Sequence, residues 1–80
     1  MLIPRTGMTF QRDGTGGAMD GRDRSVLQLV AEGESYEEAA SRLRLDLVGI
    51  ERAMARIRHH LGANTDEHAV ALALRAHLID

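Results

Sequence analysis

The sequence contains no cysteine and almost no aromatic residues. Without cysteine it has neither a disulfide framework nor a metal site with cysteine ligands. Phe10 and Tyr36 are the only aromatic residues, so the core must be aliphatic, which suits packed helices better than strands. No apolar run approaches the length of a membrane span, and the N-terminus lacks the apolar stretch of a signal peptide. A soluble cytoplasmic protein is therefore the default expectation.

The sequence also lacks an excess of positive charge. It has no lysine, and ten arginines against twelve acidic residues give a net charge of -2. A nucleic-acid-binding domain is usually basic overall or at least on one face, so the net charge alone gives no support to such a function. Eighty residues correspond to one small domain.

Residue patterns for catalysis or metal binding are also missing. His59 and His60 are adjacent, so on a helix they point about 100° apart, and His68 and His77 are too widely spaced for a His-Glu-x-x-His site. No serine has an evident partner base. The "GTGG" stretch at residues 14–17 lacks the strand and the lysine of a phosphate-binding loop. We therefore predict a protein that is not an enzyme and that binds neither a metal nor a cofactor.

The N-terminal segment differs in composition from the rest of the chain. The first 21 residues contain the only proline and five of the eight glycines, and they show no periodic pattern. We interpret residues 1–19 as a flexible N-terminal arm and residues 20–80 as the folded domain. Two alternatives are that Arg5 and Arg12 touch a phosphate or a minor groove, or that the apolar residues of the arm fold back onto the domain.

Helix start and stop signals recur at short intervals after residue 19 and predict four short helices. The predicted caps are, in order, Asp20, Ser35, Asp46 and either Asn64 or Thr65, and the predicted stops of the first and third helices are Gly33 and Gly62. "SYEE" at residues 35–38 is a capping box, and Asp23 forms a variant of one at the first helix. The fourth helix is expected to span residues 66–79.

Apolar residues recur at helical spacing in each segment and define the expected core. The predicted core residues are Val26, Leu27, Val30, Ala31, Ala39, Ala40, Leu43, Leu45, Ile50, Ala53, Met54, Ile57, Leu61, Ala69, Leu72, Ala73 and Ala76. A turn of only three residues separates the second helix from the third. The predicted fold class is therefore all-α: a four-helix helix-turn-helix bundle with a flexible N-terminal arm.

Four stretches of residues 19–79 together carry a family resemblance. In order they are "VLQLVAEG", "SYEEAASRL", "IRHHLGA" and "AVALALRAHLI". In this order and spacing they are similar to the DNA-binding domain of LuxR-type (GerE-like) regulators. The resemblance implies a third helix that acts as recognition helix, double-stranded DNA as partner, and a homodimer formed through the fourth helix.

The chain departs from the family pattern where that family usually contacts DNA. The usual Ser-Pro-x-Thr-Val-Lys-x-His opening of the recognition helix corresponds to "DLVGIERA" at residues 46–53. Gly49 replaces a hydroxyl residue, and Glu51 replaces the lysine that generally faces DNA. Asp66 stands where an arginine is usual, and Arg44 stands where a turn glycine is usual, which is expected to strain or reshape the turn.

The third helix nevertheless keeps a partly basic stripe. Arg52, Arg56 and His59 fall at i, i+4 and i+7, with Arg58 on the flank. Arg52 can pair with guanine, and Glu51 can accept from the amine of cytosine. The predicted DNA-binding residues are Gly49, Glu51, Arg52, Ala55, Arg56, Arg58 and His59. The alternative is that this stripe is only a solvated helix face.

The fourth helix has a second apolar stripe, which an eighty-residue monomer has little left to cover. Val70, Leu74, His77 and Leu78 make up this stripe at i, i+4, i+7 and i+8. Unsatisfied apolar surface favours a partner, so these residues are the predicted homodimer interface. The alternative is that the N-terminal arm lies over them.

The pattern as a whole predicts a DNA-binding transcriptional regulator acting as a homodimer. The alternative is a protein-interaction module on the same scaffold, which binds a transcription factor or RNA polymerase without DNA; the negative net charge and Glu51 favour it. A third candidate is a sigma-factor region 4-like fragment. Because no residues remain for a receiver or ligand-sensing domain, regulation is expected to come from abundance, from a partner, or from a larger protein of which the chain is a fragment.

Overall fold

The computed structural model describes residues 19–80, which form four α-helices joined by short turns. The helices are α1 (Gly21–Ala31), α2 (Tyr36–Leu43), α3 (Leu47–Leu61) and α4 (Asp66–Arg75). No strand occurs within the described residues, so the all-α prediction is confirmed. The predicted arm lies outside them except for Met19, which is buried in the core.

Each helix begins at a polar residue that caps it. The amide three residues after each cap donates to the cap side chain: Asp23 to Asp20 (2.8 Å), Glu38 to Ser35 (3.0 Å), Gly49 to Asp46 (2.7 Å) and His68 to Thr65 (3.0 Å). In α2 the Glu38 carboxylate also accepts from the Ser35 amide at 2.7 Å, which completes the predicted capping box and lowers the pKa of Glu38. The box expected at α1 is wrong, because the Asp23 carboxylate contacts α3 instead.

The core forms around α3, which contacts all three other helices. Ile50, Met54 and Ile57 on α3 are fully buried, together with Val26 and Leu27 on α1. Alanines on α2 and α4 complete the centre, because their small side chains allow the helices to approach closely. The predicted core stripe of α3 is therefore confirmed.

The end of α4 differs from the prediction. The helix stops at Arg75, not at residue 79, and His77 takes a left-handed backbone with φ 58°. The amide of Leu78 donates back to the Ala73 carbonyl at 2.9 Å, in the pattern that closes helices at a left-handed residue. Because no glycine lies at this position, the helical pattern of the sequence continues past the residue at which the helix ends.

The last residues fold back against the bundle. Ile79 is buried and Leu78 is half-buried against the core, whereas Ala76, expected in the core, is exposed. His77 and Leu78 therefore do not continue a helical stripe with Val70 and Leu74, and the shared helix face assumed for the four predicted interface residues is wrong. Their part in a dimer stays a prediction.

Candidate nucleic-acid interface

One face of α3 is free of the bundle. Val48, Arg52, Ala55 and His59 follow one another at i, i+4, i+7 and i+11, opposite the buried stripe, and all four are exposed. We call these four residues the outer row. Three of them belong to the predicted DNA-binding set, so the helix presents Arg52, Ala55 and His59 together.

The turn before α3 contains a residue in an unusual backbone conformation. Arg44 lies in the left-handed region, with φ 58° and ψ 42°, and its amide bonds back to the last turn of α2. The following Leu45 packs against the core, with its amide 2.9 Å from the Ala40 carbonyl. The turn therefore keeps a shape that favours glycine, and Arg44 adopts it at an energetic cost.

Gly49 is placed at the inner edge of the interface rather than on the outer row. It is half-buried, and its amide donates to the cap Asp46. A β-carbon at Gly49 would lie 3.1 Å from the same carboxylate oxygen of Asp46. The structure thus ties Gly49 to the start of α3, where it lets the cap approach closely.

Arg56 is held by a carboxylate of α1. Its guanidinium donates to both oxygens of Asp23, at 2.8 and 3.3 Å, and the pair joins α1 to α3. The Asp23 side chain is only 10% exposed, so it depends on this partner, whereas Arg56 is 57% exposed. The hydrogen bonds to Asp23 raise the pKa of Arg56. Much of the Arg56 charge is therefore compensated within the protein.

Arg58 belongs to a cluster that joins three helices. It donates to Asp66 of α4 at 2.6 Å, and the hydroxyl of Tyr36 of α2 donates to the other oxygen of the same carboxylate. Burial and the hydrogen bond to Asp66 raise the pKa of Tyr36 to about 12. Asp66, at a position where the LuxR-type pattern usually has an arginine, is therefore stabilised by two hydrogen-bond partners. Arg58 contributes mainly to holding α3 against α4.

Arg52 and Glu51 differ from Arg56 and Arg58 in their contacts. Neither forms a hydrogen bond or an ion pair with another side chain within residues 19–80, and both are exposed in the N-terminal half of α3. Residues in this half of a recognition helix are the ones that reach base edges. Of the predicted contacts, these two are therefore the best placed to meet a partner.

Charge within residues 19–80 is unevenly distributed along the sequence, which the net charge of the whole chain conceals. Residues 44–60 carry four arginines against two acids, whereas the rest of residues 19–80 carries nine acids against four arginines. Four of the eight arginines of residues 19–80 therefore lie on α3 and the turn that precedes it. Arg56 and Arg58 are paired with carboxylates of other helices, whereas Arg44 and Arg52 form no ion pair within the same residues. Sequence reasoning missed the uneven distribution, although a charge count by segment would have revealed it.

Sequence reasoning also missed two apolar residues at the start of α3. Val48 is 49% exposed and Leu47 is 40% exposed. The available signal was the helical spacing, because Val48 lies four residues before Arg52 and so occupies the same face. The interface therefore combines an apolar end with an arginine one turn further on.

Within residues 19–80, no three histidine, aspartate or glutamate side chains come together closely enough to hold a metal ion. No helix of the same residues is long and apolar enough to cross a membrane.

Comparison with known proteins identifies the fold. A solved structure entitled transcription factor GerE superposes with a TM-score of 0.75 at 19% sequence identity, and the match covers 78% of this chain and 92% of that chain. The fold is therefore a GerE-like helix-turn-helix, which confirms the fold expected from the LuxR-type resemblance. No family model matches the sequence, and no curated protein matches it either.

Proposed function

We propose that this chain is a DNA-binding transcriptional regulator that inserts α3 into the major groove and binds as a homodimer. The observation that carries the proposal is the exposed outer row of α3 on a GerE-like fold, in the segment that carries four of the eight arginines of residues 19–80. The activity is binding in the cytoplasm, without catalysis or a cofactor.

The three arginines of α3 differ in their contacts, and these differences indicate which of them is free to bind DNA. Arg52, with no partner among residues 19–80, is the proposed base reader, because its guanidinium can bond both acceptors of guanine. Glu51 can accept from cytosine but opposes the attraction of phosphates. Arg56 and Arg58 act mainly by holding α3 against the bundle, and any phosphate contact they make is secondary.

The proposed dimer uses α4, as the LuxR-type resemblance implies. Leu74 is 43% exposed and is the natural centre of the contact, with Val70 half-buried one turn earlier. His77 and Leu78 join from the segment that follows the helix. Two copies would bring two α3 helices to neighbouring half-sites on one duplex.

A protein-interaction module is the second candidate, and the apolar start of α3 favours it. Leu47 and Val48 are exposed beside Glu51, and the whole chain has a net charge of -2. Such a module would bind a transcription factor or RNA polymerase and would not bind DNA.

Binding to random-sequence duplex DNA across a salt series separates the two candidates. A DNA reader binds at low salt, and the logarithm of its affinity falls linearly with the logarithm of the salt concentration, because displaced counterions are released. Glu51→Lys should strengthen this binding and steepen the slope. Glu32→Lys makes the same charge change at the exposed C-cap of α1, away from the proposed dimer contact on α4, and should have a much smaller effect.

The outcomes of this experiment are distinct. No binding at low salt, or equal effects of the two substitutions, would contradict the placement of α3 in DNA. The protein-interaction module would then be the better account.

A further inference from the structure

Two of the three large hydrophobic side chains exposed in residues 19–80 are adjacent in the first turn of α3. They are Leu47 and Val48, and the third is Leu74 on α4. The first turns of the other three helices each contain an acidic residue, whereas the first turn of α3 contains none. The apolar pair therefore points to a surface that meets a partner.

The distance between Val48 and Arg52 limits which groups of a DNA duplex Val48 can contact. Val48 lies one turn before Arg52 on the outer row, and side chains at this spacing are about 5–6 Å apart. Successive base pairs of a duplex rise by about 3.4 Å, so the two side chains face positions within two base pairs of each other. The apolar group that bases present in the major groove is the methyl of thymine.

We propose that Val48 contacts the methyl of a thymine within two base pairs of the guanine that Arg52 reads. The inference rests on the proposed function and extends it, because it assigns a specificity residue and a base class. Arg52, exposed one turn away on the same row and in no ion pair within residues 19–80, favours DNA over an apolar protein partner as the occupant of this surface. Leu47 lies on the flank of the row and does not reach the same position.

The test removes the methyl alone. The preferred duplex is first selected from a randomised library, and each thymine near the selected guanine is then replaced by deoxyuridine, which lacks only that methyl. Loss of the contact should weaken binding of the wild-type protein about fourfold for each methyl that Val48 touches. Val48→Ala should bind the thymine duplex more weakly and should no longer distinguish the two duplexes.

Leu47→Ala is the matched control, because it shortens the neighbouring exposed apolar side chain off the row. It should keep the wild-type preference for thymine. Both residues are exposed, so both variants should retain the helical circular dichroism of the wild type.

The result separates the inference from the function on which it rests. Salt-dependent binding to DNA with equal affinity for thymine and deoxyuridine would overturn the role of Val48 while leaving the DNA reader intact. The same holds if Leu47→Ala abolishes the preference and Val48→Ala does not. Failure to bind any duplex would overturn the proposed function and the inference with it.

Discussion

Arg44 has an unfavourable backbone conformation, which the surrounding structure maintains. Its φ of 58° places a β-carbon in the left-handed region, where only glycine is free of steric penalty. The position follows the last turn of α2, and the buried packing of α3 depends on this sharp change of direction. The departure from a turn glycine was evident in the sequence. That the turn keeps its shape despite the departure was evident only in the structure.

Replacing Arg44 should therefore stabilise the protein in a way that depends on the substitute. Arg44→Gly should raise the free energy of unfolding by about 1 kcal/mol, because it removes the steric penalty. Arg44→Ala removes the side chain but keeps the β-carbon, so it should give little gain. Urea denaturation of the two variants measures the difference, and equal stabilities would show that the backbone at Arg44 carries no strain.

At the scale of the helices, the residue at which each helix begins could be predicted from the sequence, whereas the residue at which it ends could not always be predicted. A cap and the amide it accepts from lie three residues apart, so Ser35 and Asp46 could be assigned from local sequence. The end of α4 could not, because a histidine takes the left-handed position there. Asp23 was assigned to a local box, although its partner is Arg56, 33 residues away on another helix.

The cluster that joins α2, α3 and α4 should make stability depend on alkaline pH. The pKa of Tyr36 is raised from 10.0 to about 12, first by burial and then by its hydrogen bond to Asp66. Because the folded pKa lies above the unfolded one, this contribution is complete below pH 10 and is lost as pH rises towards 12. The chain has one tyrosine, no tryptophan and no lysine, so phenolate absorbance reports on Tyr36 alone.

Tyr36→Phe is the control for this titration. It removes the phenol, so its stability should stay level over the same alkaline range in which the wild type loses stability. Ionisation of Tyr36 near pH 10 in the folded protein would contradict the contact with Asp66.

At the scale of the whole molecule, the arrangement around α3 was predictable from helical periodicity, whereas the ion pairs were not. The stripe of Ile50, Met54 and Ile57 follows from spacing alone. The pairs of Arg56 and Arg58 bring together residues from different helices, and no local pattern encodes which arginine is held and which is free. Sequence reasoning therefore predicted the buried and exposed faces of α3 but could not tell which of its arginines are paired.

The proposed dimer makes a prediction at the same scale. Leu74→Glu places a charge at the centre of a symmetric contact, where it meets its own copy, so it should dissociate the dimer while the helices remain. His68→Glu, exposed on α4 but about 120° away around the helix, should leave the dimer intact. Light scattering with and without duplex DNA measures both. A wild-type monomer under both conditions would rule out the dimer.

The central claim is that the outer row of α3 reads DNA, and Arg52 tests it most directly. On the selected duplex, Arg52→Ala should weaken binding by about 1–3 kcal/mol and relax the preference for guanine at one position. Arg24→Ala removes an exposed arginine of α1 and should bind as the wild type does. Unchanged affinity and sequence preference in Arg52→Ala, with helical circular dichroism intact, would contradict the account.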